Sequence, residues 1–126
     1  RITQMPEVSF KPFKPFASDK IAPFNSQNTF LHRDIVPYYM VIPHIGRMDD
    51  IWGAYALQQD LQPKYGNFVL YNEATVYQDR NEHDLTIDME QEMIGYKKNI
   101  ELLKMGYKSV LPDIAKNSFD IYRSLF

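Results

Sequence analysis

The chain has no cysteine among its 126 residues, so disulfide bonds and thiol catalysis are excluded and a reducing compartment is permitted. It has no apolar run near the roughly 18 residues of a membrane span, and it shows no signal peptide. We therefore expect a cytoplasmic protein without a membrane span. Because the chain begins at Arg1 rather than at Met, we also expect it to be part of a longer protein.

Several signatures of catalysis and binding are absent as well. There is no phosphate-binding P-loop, no dinucleotide fingerprint and no serine nucleophile elbow. The histidines, His32, His44 and His83, lack the close helical spacing of a zinc site. A formal net charge of −2 gives no overall basic field, so nucleic acid is not an expected partner. Carboxylate chemistry is the catalytic option that remains.

The composition is that of a globular protein with many aromatic residues. Hydrophobic residues make up 44% and charged residues 24%, which at this length predicts a single domain, residues 1–126, with a real core. Nine tyrosines contribute to an aromatic share of 14%. A tyrosine-rich surface fits the recognition of polar ligands, and it fits half-buried packing equally well.

Residues 1–24 form an arm rich in proline and phenylalanine. They contain four of the eight prolines, and a Phe-Lys-Pro triplet repeats from Phe10 to Phe16. Proline lacks an amide donor and fixes φ, so the repeat predicts an extended segment. We expect Phe10, Phe13 and Phe16 to lie against a neighbouring surface. The alternative is a proline-rich ligand for another protein.

Residues 25–84 are predicted to form short strands around one helix. A polar loop at 25–28 comes first, and Asp34 is placed to cap a short helical turn. Apolar residues then recur at helical spacing and predict a helix over 50–60. Short strands are predicted at 29–31, 68–71 and 75–77, with a strand or an irregular wall at 38–42.

Residues 85–126 are predicted to form two helices. An apolar stripe with the spacing 4, 3, 4, 3 predicts a helix over 85–105 that packs on the final helix or on the small sheet. The stripe consists of Met89, Met93, Tyr96, Ile100 and Leu103. The final helix is predicted from about 110 to the end. Its inward residues are predicted to be Leu111, Ile114, Tyr122 and Leu125.

The predicted fold class is therefore α+β, with a few short strands flanked by helices and a long helical pair at the C-terminal end. The arm (1–24), the α/β portion (25–84) and the C-terminal helices (85–126) are its three parts.

The most informative feature is a pair of adjacent carboxylates, Asp49 and Asp50, where a loop becomes a helix. Gly46 permits a turn, and acidic groups are favoured at a helix N-terminus. A cap needs only one aspartate. The second, with Arg47 before the pair and Trp52 after it, makes a polar and aromatic corner of the kind that holds a hydroxylated ligand. Plain capping and ligand binding both stay open.

A second polar cluster surrounds His83, with Asp79, Glu82 and Asp84 beside it. It fits an oxygen-rich cation site or a proton relay. The simpler interpretation is a solvated loop that precedes a helix.

Two segments of the chain resemble the GT-A glycosyltransferases, and in particular the reversibly glycosylated polypeptide family, which includes UDP-arabinopyranose mutases. That family has a Phe-x-Arg-Asp motif followed by Gly-Arg-Tyr-Asp-Asp-Met-Trp. Here Phe30-Leu-His-Arg-Asp34, with one inserted residue, and Gly46-Arg-Met-Asp-Asp-Ile-Trp52 take those places. The resemblance runs from Pro23 to Leu103 and implies the C-terminal half of a GT-A domain.

The resemblance implies the acceptor-side part of a glycosyltransferase that uses a nucleotide-sugar donor and a glycan or small-molecule acceptor. It implies that Asp49 or Asp50 binds or deprotonates the acceptor hydroxyl. Arg47 would hold the acid pair or a phosphate, and Trp52 would pack against a sugar ring or in the core. The implied substrate-binding residues are Asn25, Gln27, Asn28, Arg47, Trp52 and Arg80.

The chain also departs from that family. It has no Asp-x-Asp motif, lacks the nucleotide-binding βαβ half, and has Asn72-Glu73-Ala74 where the family has His-Ser-Lys. A divalent metal, Mn²⁺ or Mg²⁺, is therefore expected in a full-length parent, with no cofactor evident in this chain and His83 as a weak metal candidate. The alternative function is a non-catalytic carbohydrate- or protein-binding module that uses the tyrosine-rich surface and the arm.

Overall fold

The fold is α+β, as predicted, with helices beside one small sheet. A computed structural model describes residues 14–66, 69–79 and 82–126. Its α-helices are α1 (Asp49–Tyr65), α2 (Leu85–Met105) and α3 (Asp113–Arg123). Its strands are β1 (Phe16–Ser18) and β2 (Val69–Tyr71), which pair antiparallel. Short 3₁₀ helices occupy Arg33–Tyr38, Gly46–Met48 and Tyr107–Ser109.

The sheet holds the end of the predicted arm. Phe16 lies opposite Tyr71 in the register, and their rings stack with centroids 5.1 Å apart. Phe16 therefore does lie against a neighbouring surface, as expected, although it remains 54% exposed. Phe10 and Phe13 lie outside the described residues.

Helix α1 runs through the centre of the fold. It extends beyond the predicted 50–60 because Pro63 sits in its last turn without ending it, and the helix stops at Gly66, whose φ is 75°. Every residue from Trp52 to Gln58 is buried. A helix that is buried on all sides needs neighbours on all sides, and the segments around α1 supply them.

Gly53 allows one of those segments to approach α1 closely. A Cβ atom at this position would lie 2.3 Å from the carbonyl oxygen of Met40. The chain before α1 therefore crosses the helix in backbone contact, and residues 39–42 form the irregular wall rather than a strand.

The core joins α1 to both C-terminal helices. Its largest fully buried side chains are Trp52, Phe119, Ile42 and Leu102, from α1, α3, the irregular wall and α2. One cluster of buried residues thus connects the elements that position the candidate site. Its other members are Ile45, Met48, Tyr55, Ala56, Tyr107, Leu111 and Ala115.

Helix α2 has the predicted bounds, because Asp84 caps its start through the Thr86 amide and Gly106 ends it at a φ of 90°. The predicted inward face is wrong. The apolar side chains point outward, and their exposed fractions lie between 40% and 72%. We call them the outward stripe: Met89, Met93, Tyr96, Ile100 and Leu103.

The face of α2 that packs on the body lies one position earlier in each turn. Its buried or half-buried residues are Asp88, Glu92, Gly95, Asn99 and Leu102. Gly95 makes room for the Met48 side chain, because a Cβ there would lie 2.6 Å from Met48 Sδ. Although α2 is long, no helix of the described ranges is both long and apolar enough to cross a membrane.

Helix α3 follows Pro112 and packs through Ala115 and Phe119. Of its predicted inward residues, Leu111 is buried and Tyr122 half-buried, whereas Ile114 and Leu125 are exposed, at 54% and 73%. The prediction for Ile114 is wrong because the face centred on Phe119 meets the core and turns Ile114 away. The prediction for Leu125 is wrong because α3 ends at Arg123, before the predicted end of the helix.

Two predicted strands are absent from the described part of the chain. Residues 29–31 form a loop in which Phe30 is 97% exposed, and residues 75–77 are irregular. Neither segment has a neighbouring strand to supply backbone hydrogen bonds. The predicted turn near Asp34 is present as a 3₁₀ helix, but its cap is His32, whose Nδ1 accepts from the Asp34 amide at 3.3 Å.

Candidate functional site

A polar cleft of about 460 Å³ lies at the N-terminal end of α1. Three parts of the chain form it: the loop at 25–27, the start of α1 with the 3₁₀ turn before it, and one turn of α2. The lining residues are Asn25, Gln27, Gly46, Arg47, Asp49, Asp50, Ile51, Gln91 and Glu92. The structure therefore brings together five residues that the sequence singled out: Asn25, Gln27, Arg47, Asp49 and Asp50.

The Asp50 carboxylate fixes the loop of the cleft against α1. Its Oδ2 accepts a hydrogen bond from the Ser26 amide at 3.0 Å and lies 3.5 Å from the Ser26 hydroxyl. Its Oδ1 accepts from the Ile51 amide at 2.7 Å. Because both oxygens are used within the fold, Asp50 is well placed to hold the loop rather than to receive a proton.

Asp49 keeps more of its bonding capacity. Its Oδ1 accepts from the Asp50 amide at 2.8 Å, and its Oδ2 accepts no hydrogen bond from the described residues. The N-cap of α1 is Met48, which makes no side-chain cap bond, so neither aspartate is the cap. The carboxylates form an acidic first turn instead, which the helix dipole favours.

Arg47 does not hold the acid pair. Its Nε donates to Glu92 Oε1 at 3.0 Å, and its Nη1 lies 3.3 Å from Asp88 Oδ1. Both carboxylates belong to α2, so Arg47 connects that helix to the turn before α1. Its positive charge is already balanced by two neighbours, which weakens it as a partner for a phosphate.

Tyr39 reports the electrostatic environment of the acid pair. Burial, and then the negative charges of Asp50 and Asp49, raise the pKa of Tyr39 to about 12, while the nearby Ser26 hydroxyl acts in the opposite direction. The two carboxylates therefore add to burial in disfavouring the ionised form of Tyr39.

A larger and mostly apolar cavity of about 830 Å³ adjoins the polar cleft. The two share Asn25 and Ile51 as lining residues. Asn28 lines this larger cavity and not the polar cleft, and its Nδ2 donates to Thr75 Oγ1 at 3.1 Å. Asn28 therefore lines the adjoining cavity rather than the polar cleft that contains the acid pair.

Trp52 is not a ligand-binding residue in this structure. It is 0% exposed, and its Nε1 donates to Asn99 Oδ1 at 2.8 Å. The alternative of core packing is the one observed, because Trp52 is among the largest fully buried side chains of the core.

The remaining predicted residues give no second site. Arg80 lies outside the described residues. His83 is half-buried, with Nδ1 3.8 Å from Asp88 Oδ2. Within the ranges that the structure describes, no group of three or more His, Asp or Glu side chains could hold a metal ion.

Sequence reasoning missed the wall that α2 contributes to the cleft. Gln91 and Glu92 lie in a helix whose apolar stripe was expected to face inward, so their side was expected to face solvent. A signal was present: Asp88, Glu92, Gly95 and Asn99 recur at helical spacing and form a continuous polar and small face.

Comparison of the chain with protein-family models, with curated proteins and with solved structures found no match.

Proposed function

We propose that the chain is the acceptor-side part of a glycosyltransferase that uses a nucleotide-sugar donor. The observation that carries the proposal is the grouping of Asp49 and Asp50 with carboxamide side chains in one polar cleft. Carboxylates accept hydrogen bonds from hydroxyl groups, and carboxamides both donate and accept. This set suits a neutral molecule with several hydroxyl groups, such as a sugar acceptor.

The charge of the cleft favours an acceptor over a donor. Asp49, Asp50 and Glu92 bring three carboxylates, and Arg47 is the only cation among the described lining residues. Arg47 is already paired with α2. A diphosphate needs cations or a cluster of donors to offset its charge, so the cleft would repel it. Donor binding is therefore assigned to a part of the enzyme that this chain does not supply.

Asp49 is the residue we assign as the general base. Its Oδ2 is free of hydrogen bonds within the described residues and can accept the proton of an acceptor hydroxyl. The hydroxyl oxygen then forms the new bond to the anomeric carbon, and the nucleoside diphosphate leaves with the electron pair of the broken bond. Asp50 positions the loop, and Asn25, Gln27 and Gln91 orient the acceptor.

A non-catalytic carbohydrate-binding module is the second candidate. The observation in its favour is that Asp50 and Arg47 make contacts that the fold itself needs. A structural role is then sufficient to explain why these two residues lie in the cleft. The carboxamide side chains of Asn25, Gln27 and Gln91 would bind a sugar without any transfer reaction.

Saccharide binding by the chain is the first test. Saturation-transfer NMR with a panel of neutral mono- and disaccharides should detect binding that Asp49→Ala weakens. Asp113→Ala removes a carboxylate that is 93% exposed on α3 and should leave binding unchanged. Equal effects of the two substitutions, or no binding to any saccharide, would contradict both candidates.

Transfer separates the two candidates. Asp49→Asn keeps a hydrogen-bond acceptor but removes the base, so transfer by an enzyme that includes the donor-binding half should fall roughly 10²-fold to 10⁴-fold. Saccharide binding should persist in that variant. If the unmodified enzyme binds a saccharide but transfers no sugar to it, the result would support the carbohydrate-binding module and contradict the glycosyltransferase. Tight, Mn²⁺-dependent binding of a nucleotide sugar by this chain alone would overturn the acceptor-side assignment.

A further inference from the structure

The large apolar cavity beside the polar cleft has no part in the proposed function so far. Its volume of about 830 Å³ lies in the range of small-molecule sites in proteins. Three of its lining residues keep much of their apolar surface in contact with solvent: Phe30 is 97% exposed, Leu70 68% and Tyr65 52%. Exposed apolar side chains that line one cavity are typical of a ligand-binding site.

Polar groups that line this cavity are bonded within the fold. Gln58 Oε1 accepts a hydrogen bond from the Ala22 amide, and its Nε2 donates to the carbonyl oxygens of Ala22 and Ala54. The Tyr71 hydroxyl donates to the Pro23 carbonyl oxygen at 2.5 Å. A ligand in the cavity therefore finds few free polar partners and is held mainly by the burial of its own apolar surface.

Charged side chains are scarce around the cavity. Glu73 is the only carboxylate among its described lining residues, and they include no lysine or arginine. The Glu73 side chain is exposed, so solvent screens its charge. An anionic ligand would have no cation to pair with here, and its desolvation would go uncompensated. The chemical group that fits this cavity is therefore neutral and apolar.

The cavity and the polar cleft meet at Asn25 and Ile51, which line both. On one side of this boundary lie Asp49 and Asp50, which suit hydroxyl groups, and on the other side lie apolar side chains. Asn25 Oδ1 accepts from the Gln27 amide at 3.2 Å, whereas its Nδ2 makes no hydrogen bond within the described residues. A donor is therefore available at the boundary, where the oxygen that joins a sugar to an apolar group would lie.

We infer that the acceptor is an amphipathic glycoside, whose sugar occupies the polar cleft and whose apolar aglycone occupies the adjoining cavity. This inference rests on the proposed function and names the class of its acceptor. A free sugar would gain no binding from the cavity, and a purely apolar molecule would gain none from the cleft. A molecule with both parts gains from hydroxyl contacts in the cleft and from apolar burial in the cavity.

Matched glycosides of the same neutral sugars test the inference, because they differ only in the apolar group. NMR titration of the full chain with methyl and hexyl glycosides measures what the cavity adds to binding. Each buried methylene group strengthens binding about fourfold, so the hexyl glycoside should bind at least about tenfold more tightly than the methyl glycoside. A phenyl glycoside in the same series distinguishes an aromatic aglycone from an alkyl one. Hexanol, which lacks the sugar, should bind more weakly than the hexyl glycoside.

Three variants assign the two halves of the ligand to the two sites. Leu70→Asn should weaken binding of the hexyl glycoside about fourfold or more and leave the methyl glycoside unchanged, which also shows that the variant is folded. Leu125→Asn is the matched control, since Leu125 is 73% exposed, close to the 68% of Leu70, and lines neither site. Asp49→Ala should weaken both glycosides by the same factor, because both place the same sugar in the cleft.

The failure of this inference is distinguishable from the failure of the proposed function. If the methyl, phenyl and hexyl glycosides bind equally and Asp49→Ala still weakens all three, the inference is wrong and the proposed function stands. If Asp49→Ala has no effect on any glycoside, the proposed function is wrong and the inference falls with it.

Two further results would give the cavity a different occupant and so overturn the inference. Hexanol that binds as tightly as the hexyl glycoside would mean that an apolar ligand occupies the cavity without a sugar in the cleft. A Phe13→Ser variant that binds the hexyl glycoside much more tightly than the unmodified chain would mean that the proline- and phenylalanine-rich arm competes for the cavity.

Discussion

Trp52 Nε1 donates a hydrogen bond to Asn99 Oδ1 at 2.8 Å and so joins the first turn of α1 to α2. The indole is fully buried, and Asn99 is half-buried. Because α2 also supplies Gln91 and Glu92 to the polar cleft, this bond helps to fix the position of one wall of the candidate site.

Asn99→Ala should lower the free energy of unfolding by about 1–3 kcal/mol, because it leaves a buried indole N–H without an acceptor. Asn99→Asp keeps an oxygen in reach and should cost less. Urea denaturation measures both. The same loss in the two variants would mean that packing at this position matters and the hydrogen bond does not.

Leu102 and Leu103 are neighbours with opposite environments, at 0% and 42% exposure. Leu102→Ala should lower the free energy of unfolding by about 2–5 kcal/mol, since it opens a cavity in the core. Leu103→Ala should stay within about 0.5 kcal/mol, the range of a surface substitution. A larger loss of stability in Leu103→Ala than in Leu102→Ala would mean that the inward face predicted from the sequence is the correct one.

Gly53 and Gly95 offer a second comparison. A Cβ at position 53 would meet the Met40 carbonyl oxygen at 2.3 Å, whereas one at position 95 would meet the end of the flexible Met48 side chain at 2.6 Å. Backbone cannot turn aside, so Gly53→Ala should be the more destabilising, by at least the roughly 1–3 kcal/mol of an overpacked core. Thermal unfolding of the two variants checks the order.

Stability should fall at alkaline pH. The pKa of Tyr39 is raised from 10.0 to about 12, chiefly by burial and then by Asp50 and Asp49, so the unfolded chain releases this proton before the folded one does. The stabilisation is complete below pH 10.0 and is lost as the pH rises to about 12. Tyr107, whose pKa is also raised by burial, acts in the same direction.

Two substitutions test that cause. In urea titrations across this pH range, Tyr39→Phe should flatten the loss of stability. Asp50→Asn should lower the pKa of Tyr39, because Asp50 raises that pKa more than Asp49 does. The absorbance of tyrosinate measures the change. An unchanged tyrosinate titration in Asp50→Asn would separate Tyr39 from the acid pair.

The sequence correctly predicted the features that are determined by residues close together in the chain. Asp84 and Gly106 determine the ends of α2 from within the helix, so its bounds were correct. Its inward face depends on residues more than forty positions earlier in the chain. Arg47 binds the Glu92 carboxylate of α2, and the Met48 side chain packs against Gly95. The spacing of apolar residues within α2 does not show which distant residues will pack on the helix, so the predicted inward face of α2 was wrong.

The candidate site divides in the same way. Asp49 and Asp50 were recognisable because they are adjacent and start a helix, and the loop at 25–27 because it is polar. Gln91 enters the cleft through tertiary packing alone. Trp52 was ambiguous because an indole beside a polar corner can pack against a ligand or fill the core, and the sequence alone does not separate the two.

The contacts of α3 also bear on when the cleft can form during synthesis. Arg123 pairs with Asp60 across 63 positions, and the Tyr122 hydroxyl donates to the Val36 carbonyl across 86. Phe119 completes the core that holds α1 in place. During synthesis on the ribosome, α1 and the segment that contains Val36 cannot make these contacts until α3 has emerged. We therefore expect the cleft to become ordered only after α3 has been synthesised.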